Sequence, residues 1–305
     1  MKHSAPSYWT GIGPARSAAR EALQSVWALL KPRVMSLVVF TGFVGMMIAP
    51  GSLDSGLMVV AILCIAAGAG GAGALNMWYD RDIDAIMERT KNRPIPAGLV
   101  TPTTALIVGL ALSSVSVLVM GLAANWVAAG LLALTIAFYI LVYTIWLKHR
   151  TPQNIVIGGA AGALPPMIGW AAVTGDVSAA SFSLFLIIFL WTPPHFWALA
   201  LYRNDDYVRA GIPMMPVVAG RAATIRQMVG YAVALVPLSV APTIFGIAGI
   251  GYAVIALLLA LAYLAVVVDL WRIQDDVRAR RAFRFSIVYL TGIFVALMID
   301  AAIGT

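Results

Sequence analysis

Charge is scarce in this sequence. Of its 305 residues only 11% are Asp, Glu, Lys or Arg, while 61% are hydrophobic. Soluble domains carry about 25% charged residues, so most of this chain must lie in apolar spans. Cysteine is almost absent. The single Cys64 lies inside an apolar run, which rules out an intramolecular disulfide and a cysteine-based metal cluster. It reads as a small buried hydrophobe. There are three histidines: His3 in the tail, His149 beside Lys148 and Arg150, and His195 near a span end. The sequence has no GxGxxG or P-loop pattern, and no nucleophile triad can be picked out. The residues up to about 24 are mixed polar and lack the short apolar core of a cleaved signal peptide. The net charge of +7 invites a nucleic-acid reading, but the placement of the cations argues for membrane topology and no nucleic-acid partner.

Apolar runs recur with the length of about 20 residues that crosses a bilayer. They predict spans at 34–51, 56–77, 101–121, 124–145, 154–174, 180–200, 227–247, 249–270 and 284–303. All 20 Lys and Arg fall in the N-terminal segment or in the connections near 81–93, 148–150, 203–226 and 272–284. The alternate connections have none. This is a positive-inside pattern. It predicts an all-α membrane protein, a bundle of nine transmembrane helices with the N-terminus cytoplasmic and the C-terminus outside. Residues 1–25 read as a polar cytoplasmic tail and 26–305 as a single transmembrane domain. Lys31 and Arg33 read as interfacial anchors, with Pro32 opening the first helix.

One stretch breaks the apolar pattern. Asn76 to Gly98 reads NMWYDRDIDAIMERTKNRPIPAG and holds 8 of the chain's 33 formally charged side chains. Asn76, Asp80 and Asp84 are spaced i, i+4, i+8, which on a helix makes one stripe with steps of roughly 6 Å. Asp82 should face elsewhere. A stripe of oxygen ligands suits a hard divalent cation, and Mg2+ takes one or two carboxylates and leaves other positions to water and phosphate. Arg89, Lys91 and Arg93, just downstream, suit phosphate. The bland alternative is a solvated loop obeying the positive-inside rule, but such a loop needs no acidic stripe. Asn76 also lies within the apolar run, where a polar group is costly without a partner.

A faint internal repeat adds a second acidic patch. Asn204, Asp205, Asp206, Tyr207 and Arg209 precede a Pro-containing exit (Gly211 to Pro216), much as the first patch precedes Arg93 to Gly98. Two such loops on one face would give a cation ligands from both sides. Tyr143 and Lys148 end the fourth span on that face. Lys148 offers phosphate a point charge or acts as a snorkelling anchor. Asn154 bonds a substrate oxygen or caps the fifth helix. His195, within Thr192-Pro193-Pro194-His195-Phe196-Trp197, contacts a flat porphyrin, ligates its iron, or is an interfacial histidine bonded to backbone.

Asn76-x3-Asp80-x3-Asp84 after a membrane helix, followed by Arg89-Thr90 and Arg93-Pro94, resembles the first aspartate motif of the UbiA-type intramembrane prenyltransferases. Together with YTIWLKHRTPQNIVIGGAAGALPPMIGW and WTPPHFWALALYRNDDYVRAGIPMMPV, it is similar to the haem-farnesylating branch of that family. The resemblance runs from about Lys31 to the C-terminus. It implies magnesium-bound farnesyl diphosphate as donor, haem b as acceptor and haem O as product. Asn76, Asp80 and Asp84 would hold magnesium and diphosphate, helped by Asp206 and Asp205. Arg89, Lys91, Arg93, Lys148 and Arg209 would contact the diphosphate. The second loop departs from the family's usual Asp-x3-Asp, which leaves open which acid reaches the metal. The implied location is the cytoplasmic (inner) membrane, with the active site on the cytoplasmic side. The implied partners are the lipid bilayer and haem A synthase or terminal oxidase assembly proteins. Two rivals are a prenyltransferase acting on a quinone precursor or chlorophyllide, and a transporter. Transporter sites tend to lie near mid-membrane at broken helices, whereas these acids lie at one end of the spans.

Overall fold

A computed structural model describes residues 23–304. The expected polar tail, 1–25, lies almost wholly outside the described residues. Among the described residues the chain is all α-helical. The helices are α1 (Pro32–Met47), α2 (Ser55–Ile86), α3 (Pro102–Ala123), α4 (Trp126–Ala137, continuing as a π-helix over Phe138–Leu147), α5 (Asn154–Ala163), α6 (Pro165–Thr174), α7 (Ala179–Tyr202), α8 (Asn204–Arg209), α9 (Met215–Ser239), α10 (Ala241–Ile244), α11 (Ile250–Ile273) and α12 (Asp276–Gly304). Eight are long and apolar enough to cross a membrane when α4 is taken with its π-helix, α5 with α6 and α9 with α10. Leu23–Leu29 and Val34–Met47, bent by 61° between them, make a ninth candidate if the pair is one crossing. The described residues thus hold eight candidate spans, and the predicted nine if the broken pair counts as one.

The helices start where local chemistry says they should. Asp54 accepts from the Gly56 and Leu57 amides, Thr101 from Thr104, and Asn125 from Ala128. Ser178 and Ser181 form a reciprocal cap at the start of α7. Asn125 also donates to the Ala171 carbonyl at 2.7 Å and so ties α4 to the end of α6.

The helix ends differ from the predicted spans. α2 runs nine residues past 77, α9 begins at Met215 and α12 at Asp276. Hydropathy marks where a helix meets the bilayer. It does not mark where the helix stops, and these polar extensions build the site. α9 is interrupted at Gly220, whose φ of 79° only glycine adopts freely.

Packing follows small residues. A Cβ on Gly45 would lie 2.1 Å from the Pro166 carbonyl oxygen, and one on Gly169 would lie 2.0 Å from that of Gly42, so α1 and α6 touch backbone to backbone. One core gathers Trp197, Tyr263, Tyr289 and Phe294 of α7, α11 and α12. A second gathers Ile65, Met120, Leu132 and Ile168 of α2, α3, α4 and α6. Large apolar side chains such as Leu110, Leu118, Leu122 and Leu258 point outward, as expected where lipid is the solvent.

Candidate active site

The polar extension of α2 presents its stripe inward. Asn76, Asp80 and Asp84 are 4%, 0% and 2% exposed, whereas the Asp82 side chain is 85% exposed. Helical spacing alone separates them. Asn76 donates to Asp80 Oδ2 at 2.7 Å and to Thr144 Oγ1 at 3.1 Å. Thr144 lies in the π-helix, where it bonds the Tyr139 carbonyl at 2.8 Å. The widened turn ends at Lys148, whose Nζ lies 2.5 Å from Asp80 Oδ2. Single π-helical segments recur at functional sites. Here the segment delivers Thr144 to the Asn76 amide and Lys148 to the Asp80 carboxylate.

The turn after α2 closes back on the stripe. Arg93 makes a two-pronged contact with Asp84, at 2.9 and 2.7 Å, and Thr90 donates to the Asp84 carbonyl at 3.0 Å. The second acidic loop docks here through Asp206, which accepts from the Glu88 amide at 3.3 Å and from Arg209. Asp206 is buried and Asp205 exposed, so of the two neighbouring acids it is Asp206 that faces the first patch.

Lys31 is placed differently from the interfacial anchor that its sequence position predicts. It caps α1 in the left-handed region, at φ 51°, and its Nζ lies 2.7 Å from Asn76 Oδ1. A non-glycine residue in that region is uncommon and clusters at functional sites. The bend before α1 turns this cation into the bundle. The signal in the sequence was Lys-Pro: proline favours the first helical position and disfavours helical backbone in the residue before it, which breaks the helix at Lys31.

Other predicted residues fall less centrally. Lys91 turns to Glu88 on the surface at 2.7 Å and is not brought to the stripe. Arg89 is exposed. Tyr143 stacks on Tyr139 with centroids 5.5 Å apart and packs on Gly158, where a Cβ would lie 2.2 Å from the ring. Asn154 is fully buried as the first residue of α5, with Gln153 in the capping position. Its amide donates to the Thr151 carbonyl at 2.7 Å and its Oδ1 has no partner. His149 is not a further cation: partial burial and the neighbouring Lys148 ammonium hold its imidazole below its usual value.

His195 lies between α7 and α12. Its ring is sandwiched by Trp191 at 4.2 Å and Phe283 at 4.7 Å, and its Nδ1 lies 2.6 Å from Ser286 Oγ. Ser286 donates its own proton to the Phe283 carbonyl, so Nδ1 carries the hydrogen and Nε2 a lone pair. Trp191 donates to the Ser286 carbonyl at 2.7 Å. Two adjacent turns of α7 therefore clasp one residue of α12.

The three buried carboxylates (Asp84, Asp80, Asp206) are each paired with one cation (Arg93, Lys148, Arg209), and Lys31 reaches the stripe through the Asn76 amide instead. Among the described residues, no three acidic, His or Cys side chains stand close enough to hold a metal unaided. Asp80 Oδ1 and Asp206 Oδ2 are nevertheless buried with no hydrogen-bond partner. An orphaned buried oxygen costs about 1–3 kcal/mol, more when charged, so each calls for a ligand. Two orphaned carboxylate oxygens, one from each acidic patch, are of the chemical type that magnesium takes, its remaining ligands being water and phosphate.

The profile of the UbiA prenyltransferase family matches residues 38–292. The chain belongs to the UbiA prenyltransferase family. Curated UbiA relatives are similar over most of its length. A protein named protoheme IX farnesyltransferase from Brucella suis is 57% identical over 277 residues, 90% of this chain and 88% of that one. Another of that name from Rhizobium rhizogenes is 56% identical over 296 residues, 96% of this chain and 92% of that one. Solved structures share the UbiA fold. A digeranylgeranylglyceryl phosphate synthase superimposes with a TM-score of 0.77 at 18% identity, covering 92% of this chain and 99% of that one. A UbiA homologue from Archaeoglobus fulgidus, bound to DMAPP and Mg2+, gives 0.66 at 16% identity, covering 90% and 99%. The UbiA fold and the apolar helices make this a multi-pass integral membrane protein.

Proposed function

We propose that this protein transfers the farnesyl group of farnesyl diphosphate to a vinyl group of haem b, with addition of water, giving haem O and diphosphate. The buried stripe, ringed by Lys31, Arg93 and Lys148 and facing two orphaned carboxylate oxygens, carries the donor half of this reading. The extent of similarity to proteins named protoheme IX farnesyltransferase supports the acceptor half.

Asp80 and Asp206 would hold magnesium through their orphaned oxygens. The bound metal would supply Lewis-acid neutralisation of the leaving diphosphate. The rest falls to the chain itself. Lys31, Lys148 and Arg93 surround the position of the diphosphate and aim fixed N–H donors at charge that grows as the C1–O bond breaks. Those electrons leave on the diphosphate. The stacked Tyr139 and Tyr143 offer π-faces to the allylic cation at C1. A vinyl carbon of haem b bonds to C1. Water then adds to the resulting cation beside the porphyrin and gives up one proton. Burial keeps stray water from the first cation. Incubating purified protein with haem b, farnesyl diphosphate and Mg2+, and weighing the haem by mass spectrometry, tests this reading; an unchanged haem mass would refute it.

Within this reading His195 positions the acceptor. His195→Ala should raise the apparent KM for haem at least tenfold while farnesyl diphosphate affinity stays within twofold. Weakened diphosphate binding with intact haem binding would assign His195 to the donor site instead.

The charged end of the bundle is the cytoplasmic face, and the membrane is the inner one. A cysteine at Arg150 should label only from the cytoplasm, and a reporter fused after Thr305 should lie outside. Both signals on the same side would overturn the odd number of crossings.

A further inference from the structure

We infer that the cytoplasmic end of the α7–α12 seam holds the two propionate carboxylates of the tetrapyrrole acceptor, through Arg203 and Arg280 seated on Tyr202. The inference rests on haem b as the acceptor and adds the subsite that orients it.

Several arginines near this seam already have partners. Arg278 pairs with Asp275 and Asp269, Arg281 with Asp269, and Arg221 with Asp276. Arg203, Arg280 and Arg284 make no ion pair among the described residues, and all three act electrostatically on one phenol, that of Tyr202. The Arg280 guanidinium carbon lies 5.3 Å from the Tyr202 ring centroid and that of Arg203 lies 6.0 Å away. Stacking on a ring holds a guanidinium in place and leaves its N–H fork free for an anion.

The arginines crown an aromatic track. Tyr202 meets Phe283 edge to face at 6.2 Å, and Phe283 stacks on His195, which stacks on Trp191. Trp191, His195 and Tyr202 share one face of α7, and Arg280, Phe283 and Arg284 share one face of α12. The track therefore runs from the buried His195 ring to exposed arginines that make no ion pair among the described residues. Its ligand should have a flat apolar body and carboxylates along one edge. Haem b has this shape, with its vinyl groups on the side away from the propionates. Seating the propionates at Arg203 and Arg280 turns the vinyl groups inward. The neighbouring cavity of about 290 Å3 does not compete for an anion, because Asp205 and Asp276 line it and its Arg221 is paired.

The test compares haem b with its dimethyl ester, in which both propionates are neutral, in wild type and in the Arg203→Gln/Arg280→Gln double variant. Both side chains are exposed, so the fold should survive; thermal unfolding checks this. Wild type should show a KM for haem b at least tenfold below that for the ester. The double variant should lose this preference by raising the KM for haem b, with the KM values for the ester and for farnesyl diphosphate unchanged. Equal use of haem b and ester by wild type would overturn the subsite while leaving the farnesyl transfer intact. A variant that weakens haem and ester alike, and only in vesicles rich in phosphatidylglycerol, would assign these arginines to lipid headgroups and overturn it too. Wild type that makes no haem O at all would remove the reading beneath.

Discussion

Asp80→Asn and Asp84→Asn should each lower turnover by roughly a hundredfold or more, the scale of losing one preorganised charge-stabilising group, while Asp82→Asn changes it less than threefold. All three acids lie within five residues, so composition and net charge change identically. Only the first two are buried. Asp80→Asn should also lower the melting temperature. Lys148 has a side chain only 14% exposed and would face a neutral amide, and breaking a buried pair costs about 3–5 kcal/mol. The double variant Asp80→Asn/Lys148→Met removes that unpaired charge, so it should recover stability without recovering turnover. Equal losses at positions 80, 82 and 84 in folded protein would show that the stripe has no special place.

The second large effect concerns Lys31. Lys31→Met should raise the apparent KM for farnesyl diphosphate at least tenfold and leave that for haem b nearly unchanged. The residue holds a left-handed backbone conformation as well as a charge, so a loss on substitution could come from either. Lys31→Gly separates them: glycine accepts that backbone freely and carries no ammonium. Equal KM defects in the two variants assign the effect to the charge. A defect in Met that disappears in Gly would reduce Lys31 to a backbone support for Asn76.

Much of this arrangement was legible in the sequence because its signals are local. The i, i+4, i+8 spacing of Asn76, Asp80 and Asp84 needs only helical geometry, and the alternation of charged and uncharged connections needs only the dielectric of a bilayer. The first span was harder: hydropathy put it at 34–51, but the helix ends at Met47, and a further apolar helix, Leu23–Leu29, lies before the bend at Lys31. Lys31 and Lys91 show the limit of reading charge by position. Both sit beside the membrane in sequence, yet one turns inward to Asn76 and the other outward to Glu88. That choice is made by a backbone bend in one case and by an acid three residues away in the other. The choice of Asp206 over Asp205 depends on which face of the six-residue α8 packs inward, and fewer than two turns of helix are too short to declare this by periodicity. The Ser286 partner of His195 lies 91 residues away and could not be paired with it by any local rule.

The contact between α1 and α6 bears on how a lipid-like substrate moves. Carbonyls of Gly42 and Pro166 lie where the first side-chain carbon of Gly169 and Gly45 would be. A seam this tight has no room for a methyl group, and still less for an isoprenoid chain. That flank of the bundle is a wall to lateral traffic, so a donor tail arriving from the bilayer would need a different gap between helices.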